Sequence, residues 1–263
     1  MTGDRYFDGL AEKFAQSLYG GYRGKVRLAL LDRLLPEMLD LHGQPMLDVG
    51  GGLGQLATWF AERDHPVTLT EPSAEMLMRA REAVEGHEVT FLHVPLQALP
   101  DVAPGPWELI GCHAVLEWLA DPRAALTTLA GLLAPGGQLS LMVFNRDALR
   151  LSNVVKGNLE KALADRLEGK GLRQRLTPIS PLTHAQVVEW SAACGLEVRA
   201  VAGVRIFHDY LRRPPEREVD REALLELEWR YCRVDPHWRL GRYLLYTLVR
   251  PDFPPPSAEE PGT

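Results

Sequence analysis

The chain has 263 residues, 46% of them hydrophobic, and a formal net charge of −6 at pH 7. That length holds one core of good size, and the acidic balance excludes indiscriminate nucleic-acid binding while leaving room for a local basic patch. Three scattered cysteines, Cys112, Cys194 and Cys232, with no C-x-x-C and no histidine at metal spacing, argue against a disulfide framework or a metal site and fit reduced thiols in a cytoplasmic protein.

The N-terminus carries no apolar signal core, and no uncharged run approaches membrane-spanning length, so no membrane contact is expected. Residues 4–40 read as two helices broken at Gly20-Gly21. The first carries Phe7, Leu10, Ala11, Phe14 and Leu18, and the second runs from Val26 to a stop near Pro36. The segment between them, 19–27, crowds aromatics and cations together and reads as a surface turn, or alternatively as a lid over a ligand.

From residue 45 strands and helices alternate, which predicts a parallel sheet covered on both faces. Strands are expected at 46–49, 66–70, 89–93, 107–112 and 138–144. Helices are expected at 55–62, from Ser73 through Ala83, and from Pro122 to Leu133, the last stopped by Pro135-Gly136-Gly137. Residues 146–176 hold eight cations against four carboxylates in a chain that is acidic overall. The set is Arg146, Arg150, Lys156, Lys161, Arg166, Lys170, Arg173 and Arg175, opposed by Asp147, Glu160, Asp165 and Glu168. A helix at 183–194, a strand at 197–204, a helix at 220–232 and a strand at 243–249 follow. Seven strands with a helix and loop between the final two suit a sheet whose last strand runs antiparallel. The proline-rich end, 251–263, is expected to be disordered.

The first strand runs into Asp48-Val49-Gly50-Gly51-Gly52-Leu53-Gly54. A glycine-dense turn from strand to helix is where open α/β sheets bind nucleotides. A dinucleotide fingerprint fails, because Gln55 or Ala57 falls where its third glycine belongs, and no Lys follows to make a P-loop. The frame that fits, D-x-G-x-G-x-G, resembles motif I of the class I S-adenosylmethionine (SAM) methyltransferases. The expected fold class is therefore α/β, a Rossmann-like class I methyltransferase sheet of seven strands. It carries N-terminal helices over 1–40 and a basic helical insertion over 146–182, all in one domain spanning 1–250.

Glycines at 50, 52 and 54 let main-chain groups approach the amino-acid end of SAM. Asp48 is placed to meet its ammonium or to structure the turn. Glu71 ends the second strand about 20 residues after the glycine turn, where an acid accepts from both ribose hydroxyls. Gln97 follows strand three, where an amide can read an adenine edge, or be a plain loop residue. His113 follows strand four and either contacts the cofactor or caps the next turn.

A closer resemblance rests on several runs: Asp4-Arg5-Tyr6-Phe7-Asp8, His113-Ala114-Val115-Leu116-Glu117-Trp118, Gly203-Val204-Arg205-Ile206-Phe207-His208-Asp209-Tyr210-Leu211, Glu222 through Glu228, and Leu240-Gly241-Arg242-Tyr243. Together they resemble the bacterial tRNA 5-carboxymethoxyuridine methyltransferases over nearly the whole chain. The resemblance implies methyl transfer from SAM to the carboxylate of 5-carboxymethoxyuridine at a tRNA wobble position. It places the cofactor contacts on Arg27, Gly50, Gly51, Glu71, Leu96, Gln97 and His113. Here Glu71 stands where Asp is more usual, and Leu96 replaces a smaller residue.

A carboxylate with a pKa of about 4 is ionised at pH 7 and needs no general base, so no catalytic triad is expected. It needs a cationic or donor-rich clamp instead. Arg205, His208 and Tyr210 are the candidates, with Asn145 and Arg242 behind them. Two other readings share the same cofactor half: a SAM-dependent methyltransferase of a small-molecule carboxylate or hydroxyl, and a catalytically silent SAM-fold binding protein.

Overall fold

A computed structural model describes residues 3–7, 9, 12, 20–168 and 177–252. Seven strands form one sheet in the order β3-β2-β1-β4-β5-β7-β6. The strands are β1 (Met46–Val49), β2 (Val67–Thr70), β3 (Val89–Leu92), β4 (Trp107–His113), β5 (Leu133–Phe144), β6 (Glu197–Val204) and β7 (Tyr243–Val249). β1 to β5 run parallel, and β7 is inserted antiparallel between β5 and β6. Chain order reverses at β1, which pairs with β2 on one side and β4 on the other. That is the crevice where open α/β sheets take their ligands.

Side-chain alternation divides the core between the two faces. Leu47, Ile110, Leu139, Leu141 and Tyr246 pack on one face with α4 (Leu99–Val102), α5 (Pro122–Leu132) and α8 (His184–Ala193). Met46, Leu109, Met142 and Leu245 pack on the other with α1 (Gly21–Met38), α2 (Gln55–Ala61) and α3 (Ala74–Ala83). Period-two burial of this kind fixes strand register, because a one-residue slip would exchange the faces. Four helix starts follow from local chemistry. Ser73 accepts from Met76 N–H, Asp121 accepts from Ala124 N–H ahead of Pro122, Thr183 and Gln186 form a capping box, and Asn145 accepts from Asp147 N–H.

The structure departs from the sequence reading in four places. α1 starts at Gly21 and passes through Pro36 to Met38, so most of 19–27 is helix rather than surface turn. Pro36 lies in the last turn, where one missing N–H costs little against the burial of Leu34, Leu35 and Met38. Residues 4–7 are not helical but lie as an extended strap, and most of the expected first helix falls outside the described residues. β5 begins at Leu133 rather than 138. α5 ends at Leu132, before the Pro135-Gly136-Gly137 expected to stop it, and that turn lies within β5, where Gly136 N–H donates to Arg250 O and Arg250 N–H donates to Gly137 O.

The fourth departure is in the basic run, which holds α6 (Arg146–Val155) and α7 (Leu159–Leu163). Arg146 pairs with Asp165 at 2.9 Å and Glu168 at 2.6 Å, and Arg150 pairs with Asp147 and Asp165. Five cations and four carboxylates lie within 146–168. The rest of the basic excess, Lys170, Arg173 and Arg175, lies outside the described residues, as does the chain after 252. Among the described residues no helix is long and apolar enough to cross a membrane, and no group of three or more His, Cys, Asp and Glu is placed to hold a metal.

Candidate functional site

A cavity of about 510 Å³ opens at the carboxyl ends of β1, β2 and β4. Its floor is the glycine turn. Gly50 has φ +65°, and a Cβ there would meet Val115 at 2.6 Å; a Cβ on Gly51 would meet Leu69 at 2.5 Å and Asp48 Oδ2 at 2.8 Å. Only glycine fits at these two positions, and the bare backbone is what lines the cavity. Gly52 N–H donates to Glu71 Oε2 at 3.0 Å, and Ser73 N–H donates to Glu71 Oε1 at 2.9 Å. Glu71 is therefore fixed by the backbone it faces, and a carboxylate with two accepting oxygens retains lone pairs for a further donor.

Asp48 is 1% exposed. Burial pushes its carboxyl up to about 7 against a backbone hydrogen bond from Ala57, and Glu71 adds to the rise. Asp48 lines the cavity, and its buried Oδ2 has no hydrogen-bond partner among the described residues. Leu96 lines the cavity as well. Gln97 is exposed, and its Nε2 donates to Asp4 Oδ2 at 2.7 Å. In this structure the amide therefore holds the strap. Asp4 Oδ1 also accepts from Ala120 N–H, Arg5 N–H donates to Trp118 O, and Phe7 meets the Trp118 ring edge-on at 4.9 Å. These contacts lay Arg5, Tyr6 and Phe7 along the cavity wall.

His113 lines the cavity with Nε2 2.8 Å from Ser140 Oγ. Burial, helped by the Arg27 charge, pushes its pKa down to about 3, so the ring is neutral at pH 7. Arg27 is 3% exposed, lines the same cavity, and lies over the Tyr243 ring at 5.0 Å. Glu117 is 1% exposed and, pushed up to about 8 by burial, is mostly protonated at pH 7. Its Oε2 has no hydrogen-bond partner among the described residues.

These shifts set a pH dependence. Folding binds protons at Glu117 and Asp48, whose pKa values rise from 4.5 and 3.8. Their contribution is full below those unfolded values and is lost as pH climbs through 7 to 8. His113 acts oppositely: its contribution is present above 6.5 and is lost as pH falls toward 3. Between pH 6.5 and about 8.5 the carboxyls dominate these three groups. The thermal midpoint of the ligand-free protein is expected to fall across that window, and Glu117→Gln to flatten the fall. An unchanged slope would remove Glu117 as its origin.

A second cluster adjoins the cavity through Tyr243. Arg205, 5% exposed, lies 5.6 Å from the same ring and grips Asp209 with Nε and Nη2 at 2.8 and 3.1 Å. Arg242 lies 3.7 Å from Asp209, 3.3 Å from Ser152 Oγ and over the Phe144 ring at 5.4 Å. Burial works to raise the Asp209 pKa, but Arg205 and Arg242 hold it below the ordinary carboxylate value. Two guanidiniums thus share the Asp209 carboxylate.

The other expected clamp residues are present but differently employed. Tyr210 donates its hydroxyl to Leu240 O at 2.8 Å. Both Asn145 Nδ2 hydrogens are used by Arg239 O and Gly241 O, while its Oδ1 caps α6. His208 packs 5.9 Å from Tyr22, and burial lowers its pKa.

Sequence reasoning missed what shapes this cluster. Glu228, fully buried on α9 (Glu218–Tyr231), accepts the backbone N–H groups of Ile206, Phe207 and His208 at 2.6, 3.0 and 2.7 Å. It closes the turn in which Arg205 takes φ +61°. Asp209 and Glu228 lay inside the runs that carried the resemblance. An acid on the apolar face of a helix, as Glu228 is beside Leu224 and Leu225, was the available signal.

Residues 19–201 match the family model of a methyltransferase domain. A tRNA 5-carboxymethoxyuridine methyltransferase of Escherichia coli strain K12 is 43% identical over 256 residues, which cover 94% of this chain and 97% of that protein. A ubiquinone biosynthesis O-methyltransferase of Xylella fastidiosa strain 9a5c is 31% identical over 182 residues, covering 68% of this chain and 70% of that protein. Among solved structures, the magnesium protoporphyrin IX methyltransferase of Synechocystis PCC 6803 with bound SAH aligns with a TM-score of 0.62 at 17% identity, over 93% of this chain and 96% of that one.

Proposed function

The chain belongs to the tRNA 5-carboxymethoxyuridine methyltransferase family of SAM-dependent methyltransferases, and on that premise we propose that it esterifies the carboxylate of 5-carboxymethoxyuridine at the wobble position of tRNA. The observation that carries this reading is the Tyr243 ring. Arg27 lies over it from the cavity and Arg205 from the cationic cluster, at 5.0 and 5.6 Å. One aromatic thus joins a nucleotide-sized cavity to a pair of guanidiniums.

The residues present fit SAM. Gly50 and Gly51 present bare backbone to the cavity, since a Cβ on either would collide with Val115 or with Leu69 and Asp48, and Glu71 supplies the acceptor for ribose hydroxyls. Leu96 and the strap carrying Tyr6 and Phe7 supply apolar walls, and Gln97 acts by holding that strap. Bound there, SAM provides a methyl group on a positively charged sulfur. Arg205 and Arg242 hold the substrate carboxylate by charge, while Asn145, Tyr210 and Glu228 fix the backbone around them. A C–O bond forms as the methyl–sulfur bond breaks, and no proton has to move. Alignment and exclusion of water are then what the protein contributes.

The small-molecule hydroxyl reading asks for a base. His113, with a pKa of about 3 and its Nε2 beside Ser140, is a poor one. Wobble nucleosides from cells with and without the gene test the esterification reading. Loss of only the methyl ester, with 5-carboxymethoxyuridine accumulating, is expected; an unchanged nucleoside profile would overturn it.

A further inference from the structure

Resting on the tRNA reading above, we propose that the tRNA backbone is gripped by a rim of three exposed cations, Arg23 on α1 and Arg212 and Arg213 beyond the 208–210 turn. The basic run after β5, where the sequence concentrates positive charge, is not the main contact. None of the three rim cations has an ion pair or side-chain hydrogen bond among the described residues. In the basic run, by contrast, Arg146 and Arg150 are tied to Asp147, Asp165 and Glu168. Lys156, Lys161 and Arg166 have no ion pair or side-chain hydrogen bond among the described residues, but they lie in a stretch that also exposes the apolar side chains Val155, Leu159 and Leu163.

The rim is joined to the cationic cluster by contact. Tyr22 packs its ring 5.9 Å from His208 and is anchored by its hydroxyl, which donates to Arg221 O. Besides the Asp209 charge, His208 feels those of Arg205, Arg23 and Arg242. α1 has no acid in its first turn. The acids at the start of α9 are matched in part, Asp220 by Arg217 and Glu218 by Arg221. Glu216 and Glu222 bound the patch on that side. A nucleoside whose carboxylate reaches Arg205 and Arg242 would bring its flanking phosphates out over Tyr22 and His208, within reach of cations free to meet them. Phosphate contacts of this kind position a nucleic acid without reading its sequence.

The test is equilibrium binding of a fluorescent tRNA carrying 5-carboxymethoxyuridine, read by anisotropy across a salt series, without turnover. Arg212→Ala/Arg213→Ala is expected to weaken binding about 10-fold at 100 mM salt and to reduce the slope of log affinity against log salt by about 1.5, because each phosphate neutralised by a cation contributes about 0.7–0.9 to that slope. Arg23→Ala should act in the same direction, and Lys156→Ala/Lys161→Ala should leave binding unchanged. SAM affinity by calorimetry should stay at the wild-type value in all of them. Wild-type affinity in the rim variants, an equal loss in Lys156→Ala/Lys161→Ala, or a parallel loss of SAM binding would each overturn the proposal. A protein that binds tRNA through this rim and esterifies nothing would refute the esterification reading and support the rim. One that esterifies but is indifferent at Arg23, Arg212 and Arg213 would do the reverse.

Discussion

Glu228→Ala is expected to lower stability by roughly 3–5 kcal/mol and the thermal midpoint by roughly 8–15 °C. The carboxylate accepts three consecutive N–H groups, and each donor left unsatisfied out of water costs about 1–3 kcal/mol, the partly exposed ones least. The chain they belong to carries Arg205, His208, Asp209 and Tyr210, so the loss should be functional as well. At a temperature where the variant is folded, turnover on tRNA should drop about 100-fold, the scale expected when reacting groups are misplaced by an ångström. SAM affinity should change little, because the cavity rests on β1, β2 and β4. Glu228→Gln keeps an accepting oxygen and should fall between the two. A wild-type melting curve, or equal losses of SAM binding and tRNA turnover, would show that Glu228 does not hold this turn.

Glu71→Ala is expected to weaken SAM binding about 100- to 1,000-fold, with stability only modestly reduced. Hydrogen bonds to a charged acceptor contribute about 1.5–3 kcal/mol each, and two ribose hydroxyls are to be met. The loss of the Gly52 and Ser73 contacts would loosen the glycine turn at the same time. A SAM analogue lacking one ribose hydroxyl separates the two effects in calorimetry. Wild-type protein should bind it about 10-fold less tightly than SAM, and Glu71→Ala should not distinguish the two ligands. If the variant still discriminates, the ribose is read elsewhere.

The cofactor half of the molecule was legible because its signals are local. Glycines before a helix, an acid at the end of the next strand and alternating apolar runs all report short-range geometry, and β1, β2, β4 and the antiparallel β7 lie where these put them. Gly50, Gly51 and Glu71 come together because consecutive parallel strands end at one edge.

The cationic cluster was legible only as a set of residues. Arg205, Arg242, Tyr210, His208 and Asn145 do gather, but their division of labour depends on partners distant in sequence. Asn145 meets Arg239 and Gly241 across 94 and 96 positions, and Glu228 reaches back 20 to 22. Net charge along a segment was a poor guide to the surface for the same reason. Arg146 and Arg150 find Asp165 through the fold of α6 and α7, which no count of charges contains. The strap 4–7 read as helix because Phe7 has helical spacing to later apolar residues, whereas its ring packs on Trp118, more than a hundred residues away.

The most direct measurement is mass spectrometry of nucleosides from tRNA carrying 5-carboxymethoxyuridine after incubation with the purified protein and isotopically labelled SAM. The expected result is one labelled methyl on that nucleoside, removed by mild base as an ester must be and reduced together with SAM binding in Glu71→Ala. Label that survives base, or that appears on tRNA lacking the carboxymethoxy group, would contradict the assignment of the carboxylate as methyl acceptor.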